Sequence, residues 1–351
     1  MDGYALRSKD LTGPPPYAMT VTGRSFAGHP FTGEVSSHEA VRIYTGAAVP
    51  QGLDAVVIQE DCDAEDSGVI IRKMVSPGDN IRPIGLDVRA GQTLFSPGTQ
   101  ISAFHAGWMS ACGVTDISAF KRPRVAIFST GDELVEPGST LGQGQIYDAN
   151  RHLLHLMLSR LPVLVEDFGI LPDDPDRIRT ALDMAAGSCD AIVTSGGVSV
   201  GDADWVKHIV ENMGNLQFWK LNLKPGKPMA YGRLGESLFF GLPGNPVSTV
   251  VTALLLAKPA LLKLCGCHYQ RPLSFPARLR TAITHRRGRE EYQRGFVDEQ
   301  NGELVVSSTG DQSSNRLATF AEANCLIRIS KHTDDLGEGS TVFVLPFTGL
   351  L

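Results

Sequence analysis

The sequence predicts a multidomain α/β-plus-β protein: a central parallel α/β domain, flanked by an N-terminal β-rich domain with a connector and by a small C-terminal β-barrel. Three observations predict it. Strand-like and helix-like segments alternate through the middle of the chain, Gly- and Pro-punctuated short runs fill the start, and short strand-like runs return at the end. At 351 residues the chain is also too long for one compact core.

In chain order, residues 1–90 carry alternating runs such as "AVRIYTG", "AVVIQED" and "GVIIRKM", which read as strands separated by turns with no helix among them. Residues 91–122 read as a connector made of a turn, a short helix and a short strand. Residues 123–267 switch texture. "RVAIFST", "VLVEDFGI", "CDAIVTSGG", "LQFWKLNL" and "SLFFGLPG" read as strands, interleaved with the helices "NRHLLHLMLSRL", "DRIRTALDMAA", "DWVKHIVENM" and residues 246–265. Such alternation predicts a parallel sheet covered on both faces, with ligands bound beyond the carboxyl ends of its strands. Residues 268–351 return to short strands ("ARLRTAI", "EYQRGFV", "ELVVSST", "NCLIRIS", "STVFVLPF"), which suit a small all-β barrel.

Composition narrows the function. The chain is 42% hydrophobic and 20% charged with a net charge of -6, and its pI near 5.9 argues against a nucleic-acid binder. The longest apolar run, "VSTVVTALLLAKPALLKL", is interrupted by Lys258 and Pro259 and reads as a buried helix, not a membrane span. Six scattered cysteines read as reduced thiols of a cytoplasmic protein. Cys265, Cys267 and His268 lack a second ligand pair with zinc-site spacing. The opening "MDGYALRSKD" has no signal-peptide pattern and reads like the interior of a longer pattern.

Polar clusters follow the predicted strands of the α/β segment. "STGDEL" supplies Asp132 and Glu133, "LPDDPD" supplies Asp173 and Asp174, and "VTSGGVSVGDADW" supplies a glycine-serine loop with Asp202 and Asp204. "KLNLKPGKP" brings Lys220, Lys224 and Lys227, and "GLPGNPVS" sets Asn245 before a helix that Pro246 can open. Each has a plain structural explanation: Asp174 and Asp202 are good helix N-caps, Asp132 and Glu133 suit a solvated turn, and the lysines suit a surface face. Their gathering on one rim favours a site. The glycine loop followed by a helix start invites an anion, yet two carboxylates stand there. A divalent cation between carboxylates and phosphate resolves the conflict, because magnesium takes one or two carboxylates together with phosphate oxygens and water. The rim therefore points to a phosphorylated ligand with Mg2+.

"MDGYA", "RIYTGAAVP", "STGDEL", "YDANRHLL", "TSGGVSVGDADW", "LKPGKP" and "GLPGNPVS", in this order along the chain, resemble the molybdopterin molybdenumtransferases of the bacterial MoeA type and the E domains of gephyrin and Cnx1. The resemblance implies a central domain like those of MogA and MoaB. It implies insertion of molybdate into the dithiolene of adenylyl-molybdopterin with release of AMP, and a homodimer whose active cleft is shared between subunits. It also implies roles for Asp2, Thr45, Asp87, Glu133, Lys220 and Lys224 in catalysis. Ser195, Gly196, Gly197, Ser199, Gly201, Asp173, Pro243, Asn245 and Pro246 are implied in ligand binding, and Asp204, Glu133 and Asp173 in holding the metal. Family members carry about fifty residues before "MDGYA" that contribute to the dimer, and this sequence starts at that motif. The adenylyltransferase of the same pathway is a further partner that the resemblance suggests.

Two rival readings accompany this one. Adenylyl transfer to molybdopterin uses a similar glycine loop, but "MDGYA" and the outer β-rich domains argue against it. A cofactor-binding scaffold without activity is the other, and the intact set of acids argues for an enzyme. A tungstate-specific enzyme would carry the same residues.

Overall fold

The computed structural model describes residues 1–197, 205–268 and 270–350, and their side chains except those of 215, 216, 218–220 and 349. The chain divides into two compact units, Met1–Leu94 and Phe95–Leu351.

The first unit is built on one sheet. Strands β1 (Gly3–Leu6), β2 (Tyr17–Ser25), β3 (Glu39–Ile43), β4 (Ala55–Ile58), β5 (Cys62–Ala64) and β6 (Gly68–Ile71) are ordered β4-β1-β3-β2-β6-β5. Tyr17 and Met19 of β2 alternate with exposed neighbours and join Leu6, Val57 and Ile71 in its core, the two-residue period of a half-buried strand. The expected absence of α-helix here agrees with the two 3-10 turns that are its only helical segments among the described residues.

In the second unit, helix α1 (Ala103–Ala111) occupies the connector and starts at Ser102, whose side chain and that of His105 bond each other's backbone N–H. The short strand expected after it does not form. Val114, Ile117 and Phe120 stay exposed, and no described strand pairs with them.

The α/β domain follows: β7 (Arg124–Thr130), β8 (Leu134–Val135), β9 (Ile146–Tyr147), α2 (Asn150–Leu158), β10 (Leu164–Leu171), α3 (Pro175–Ser188), β11 (Ala191–Ser195) and α4 (Trp205–Met213). Next come β12 (Asn215–Lys220), β13 (Leu223–Lys224), β14 (Pro228–Leu234), β15 (Ser237–Leu242), α5 (Pro246–Thr252) and α6 (Lys258–Leu264). Its sheet is ordered β10-β7-β11-β15-β14-β12. Strands β10, β7, β11 and β15 are parallel, whereas β14 and β12 are antiparallel. Four strands are thus parallel as predicted, and the sheet is mixed at one edge. The cause is the tight connection at Gly235 and Glu236, with Gly235 at φ 56°, since a two-residue link can only join antiparallel neighbours.

Side chains of β7 alternate between the two faces: Val125 and Ile127 join α2 and α6 residues, Ala126 and Phe128 join α3 and α4 residues. Burial on both faces is what a central strand without polar alternation requires.

Between α5 and α6, Ala253–Ala257 forms a π turn within one long helix. Pro259 lacks the N–H the ladder needs and its ring crowds the preceding turn, so the helix widens just before it. Pro246–Leu264 is long and apolar enough to cross a membrane by length and composition. Here it packs on one side against the sheet and on the other against Tyr292, Leu326 and Leu345.

The C-terminal strands β16 (Phe275–Leu279), β17 (Glu290–Gln300), β18 (Glu303–Ser308), β19 (Cys325–Ile329) and β20 (Thr341–Pro346) are accompanied by short helices α7 (Ala318–Ala321) and α8 (Phe347–Leu350). The strands run β17-β18-β16-β20-β19, and β19 pairs back to β17, closing a five-stranded barrel. Strand β13, from the lysine-rich loop of the α/β domain, adds to the barrel beside β17.

Candidate active site

Parallel register brings three strand ends side by side, because Ser195 stands opposite both Ser129 and Leu242. The loops that follow are "GDE" after β7, Gly196–Gly197 after β11 and "PGN" after β15, as the rule for open α/β sheets demands. They bound a groove of about 860 Å³, within the usual range for small-molecule sites.

Glycine is required in the loop after β11. Gly196 and Gly197 have φ 92° and 67°, and a Cβ on Gly197 would lie 2.4 Å from Val206 Cγ2 and 2.9 Å from Thr130 Oγ1. The turn therefore lies too close to its neighbours for any side chain. The Gly197 carbonyl accepts from Lys207 N at 3.2 Å and so ties the turn to α4.

Asn150, at the start of α2, links the end of β11 to the loop after β15. Its Nδ2 donates to Ser195 Oγ and to the Gly244 carbonyl, both at 2.7 Å. A carbonyl can only accept, so this contact fixes which amide atom is nitrogen. Asn150 Oδ1 and Thr130 Oγ1, both in the groove wall, are buried without a hydrogen-bond partner among the described residues. Unsatisfied buried polar atoms are uncommon in native proteins and mark a place where a ligand, an ion or water can bind.

The groove wall brings together Glu133, Asp173, Ser195, Gly196, Gly197, Pro243, Asn245 and Pro246 from the predicted set. Asp148 is added, which the sequence reading had not singled out, and no lysine or arginine is among the described lining residues. Asn245 caps α5 by its backbone position without a side-chain bond, and Pro246 takes the first helical position. Asp132 and Asp174 have structural duties: Asp132 accepts the Asp173 N–H at 3.1 Å, and Asp174 caps α3 through Asp176 N and Arg177 N. Ser199, Gly201, Asp202 and Asp204 lie outside the described residues.

The lysines are placed differently. Lys220 ends β12, and its side chain is outside the described set. Lys227 is exposed, and its carbonyl accepts from Leu221 N at 2.8 Å. Lys224 is not in the groove wall: its Nζ lies 3.0 Å from Oε1 and 3.1 Å from Oε2 of Glu291, a carboxylate only 2% exposed. Gln293 donates to the same carboxylate at 3.0 Å.

In the first unit, Asp2 and Thr45 form one cluster. Asp2 Oδ1 accepts the Thr45 N–H and the Thr45 hydroxyl, each at 2.9 Å, and these bonds hold the Asp2 carboxyl below the usual range, the backbone bond most strongly. Asp87 is exposed in the loop beyond β6.

Arg151, also unforeseen in the sequence, is 5% exposed and faces Asp148, Asp167 and Glu136. Burial alone would lower its pKa, but the surrounding carboxylates outweigh that and raise it. Among the described residues no group of three or more His, Cys, Asp or Glu is placed to hold a metal. The Cys265 thiol is pushed up to about 11, chiefly by burial, which suits a structural cysteine.

A tight glycine turn and two carboxylates gathered at the strand ends of a doubly covered sheet define the class: an α/β protein with its groove at that edge. Comparison with known proteins narrows the class. Three family profiles match in succession: MoeA N-terminal region (domain I and II) over residues 1–113, probable molybdopterin binding domain over 126–263, and MoeA C-terminal region (domain IV) over 276–347. The chain is 41% identical to the molybdopterin molybdenumtransferase of Haemophilus influenzae, with 100% of this chain and 87% of that protein covered. It is 32% identical to the molybdopterin molybdenumtransferase of a Nostoc species, covering 98% of this chain and 81% of the relative. A molybdopterin biosynthesis MoeA protein from Pyrococcus horikoshii superposes with a TM-score of 0.84 at 27% identity, covering 99% of this chain and 86% of that one. The chain belongs to the molybdopterin molybdenumtransferase family, and with it to the transferases of molybdenum cofactor biosynthesis.

Proposed function

We propose that the groove binds adenylyl-molybdopterin and that the protein inserts molybdate into its dithiolene, releasing AMP. The observation that carries this reading is the groove itself, lined by the glycine turn together with Glu133 and Asp173, in a chain related to this family over its whole length. The donor set suits Mg2+, a hard cation that takes carboxylates together with phosphate oxygens and water. Glu133 and Asp173, with Asp204, would hold it, and the ion would supply charge neutralisation on the diphosphate as AMP departs.

The chain's own groups do the rest. Ser195, Gly196 and Gly197, continuing through Ser199 and Gly201, cradle the diphosphate, and the "PGNP" turn of Pro243, Asn245 and Pro246 bounds the opposite side. Lys220 offsets the repulsion between molybdate and the polyanionic pterin. Lys224 does the same once its ammonium is shared between Glu291 and the incoming oxyanion. Asp2, Thr45 and Asp87 serve molybdate or proton handling from the partner subunit of a homodimer, and the pathway's adenylyltransferase is the natural donor of substrate. Dimerisation is supported by α1, which buries none of its own residues and leaves Phe104 90% exposed, an apolar surface that invites a protein partner. Six free thiols suit a reducing cytoplasm.

The test is incubation with adenylyl-molybdopterin, Mg2+ and molybdate, assaying AMP and active cofactor. Asp204→Asn is expected to keep the wild-type thermal midpoint and lose magnesium-dependent AMP release. Wild-type turnover by that variant would return Asp204 to the role of a helix-start charge.

A further inference from the structure

We propose that Arg151 is a positioning residue that holds a two-stranded flap at the groove, and that Tyr147 on this flap lies against the flat heterocycle of the bound ligand. The proposal rests on the reading of the groove as the substrate site and adds to it the wall that meets the ring.

The flap is the parallel pair β8 and β9. Two bonds secure the pair, Ile146 N to the Glu133 carbonyl at 2.8 Å and Asp148 N to the Val135 carbonyl at 2.9 Å. A pair this short has little stability of its own. Glu136 follows the first strand and Asp148 follows the second, and both bind the Arg151 guanidinium. Its remaining nitrogen binds Asp167 on β10. A planar fork with five donors can serve three carboxylates at once, as a lysine cannot. One guanidinium thus fastens both ends of the flap to the central sheet. Asp148, 1% exposed, is held further by Ser129 Oγ at 3.1 Å.

The flap presents apolar surface to the groove. Ile146 and Tyr147 line it and are 56% and 45% exposed. The Tyr147 hydroxyl donates to the Ser139 carbonyl at 2.9 Å, which fixes the ring while the residue stays half-exposed. An oriented aromatic face beside a polar groove suits stacking with a flat nitrogen heterocycle. Adenine and pterin share that chemistry.

The test titrates AMP and 6-hydroxymethylpterin separately into wild type, Tyr147→Ala, Tyr147→Phe and Glu136→Gln, by calorimetry. Tyr147→Ala should weaken one probe roughly tenfold, the loss of one stacking contact, and Tyr147→Phe should restore it. The probe affected identifies the ring. Glu136→Gln, at a half-exposed site that does not endanger the fold, should weaken the same probe, and the double variant Glu136→Gln/Tyr147→Ala should be no worse than Tyr147→Ala. Hydrogen exchange provides a readout that needs no ligand: Ile146 and Asp148 amides should exchange faster in Glu136→Gln and Arg151→Met, while those of β11 stay unchanged. Unchanged flap exchange overturns the positioning role of Arg151. Equal binding of both probes by wild type and Tyr147→Ala overturns the ring contact. If wild type binds neither probe, the ring contact falls with the substrate reading, and the exchange result still decides the role of Arg151.

Discussion

One carboxylate oxygen of Asp2, Oδ1, accepts both the backbone N–H and the hydroxyl of Thr45 at 2.9 Å. The "MDGYA" and "RIYTG" motifs, more than forty positions apart in sequence, are thereby a single structural unit. Both bonds favour the ionised carboxylate, so the Asp2 pKa is lowered in the folded state.

The pH consequence has a definite sign. A carboxylate whose folded pKa lies below its unfolded value contributes stability above the unfolded value, about 3.9, and loses it as pH falls through the folded pKa. Thr45→Val deletes the hydroxyl donor and keeps the N–H. The Asp2 titration, followed through its carboxyl carbon by NMR, should move part of the way back toward the ordinary range. No movement would mean that the backbone bond alone sets the Asp2 pKa.

Gly197→Ala should separate a required glycine from a dispensable one. The new Cβ would meet Val206 Cγ2 at 2.4 Å, at φ 67°, and overpacking plus left-handed strain predicts a loss of about 2–4 kcal/mol. Gly187, on α3 with nothing within 4 Å of its Cβ position, should tolerate alanine or gain about 0.5–1 kcal/mol from better helix propensity. Urea midpoints of the two variants check the contrast. A comparable stability for both would remove the steric argument for the glycine turn.

Lys224 tests whether an ion pair and a substrate contact can be told apart. Lys224→Ala leaves the buried Glu291 carboxylate to Gln293 and His285 among its described side-chain contacts, which should cost about 1–3 kcal/mol. Adding Glu291→Gln should recover much of that stability. If the lysine also meets the oxyanion, the double variant stays defective in AMP release despite its recovered fold. Lys263, exposed on α6, should change stability by less than about 0.5 kcal/mol when replaced by alanine. Recovery of both stability and turnover in the double variant would leave Lys224 a purely structural cation.

How legible these features were depends on the range of the interactions that make them. The unbroken apolar run of β7 and the helix pattern of α3 are local, so both elements could be read from "RVAIFST" and "DRIRTALDMAA". The antiparallel edge was not, because β14 hides in "PMAYGRL" beside a lysine-proline loop and its direction is set by one tight turn. Glu133, Asp173 and the glycine turn were legible since groove loops follow strand ends. Asn150 was quoted within "YDANRHLL" without a role. Its importance comes from reaching Ser195 and Gly244, 45 and 94 positions away, and an asparagine near a helix start otherwise reads as a cap. The ion pair of Lys224 was hidden for the same reason, since nothing near "LKPGKP" announces a partner 67 positions on in the barrel.

The proposed sharing of the active cleft between subunits yields the sharpest numerical prediction. Consider Asp2→Ala chains mixed with Asp204→Ala chains under conditions where subunits exchange. A composite site draws Asp2 from one chain and Asp204 from the other. In a mixed dimer one site then receives both substitutions and the other receives neither. Random pairing makes about half of the dimers mixed, and half of their sites are intact, so roughly a quarter of wild-type activity should return from two inactive parents. A site built within one chain would carry one lesion everywhere, and mixing would restore nothing. The measurement is AMP release after mixing, with exchange verified by mass spectrometry of differently labelled chains. Verified exchange without rescue would refute the shared cleft and leave the Asp2–Thr45 bonds as a support for the N-terminal sheet alone.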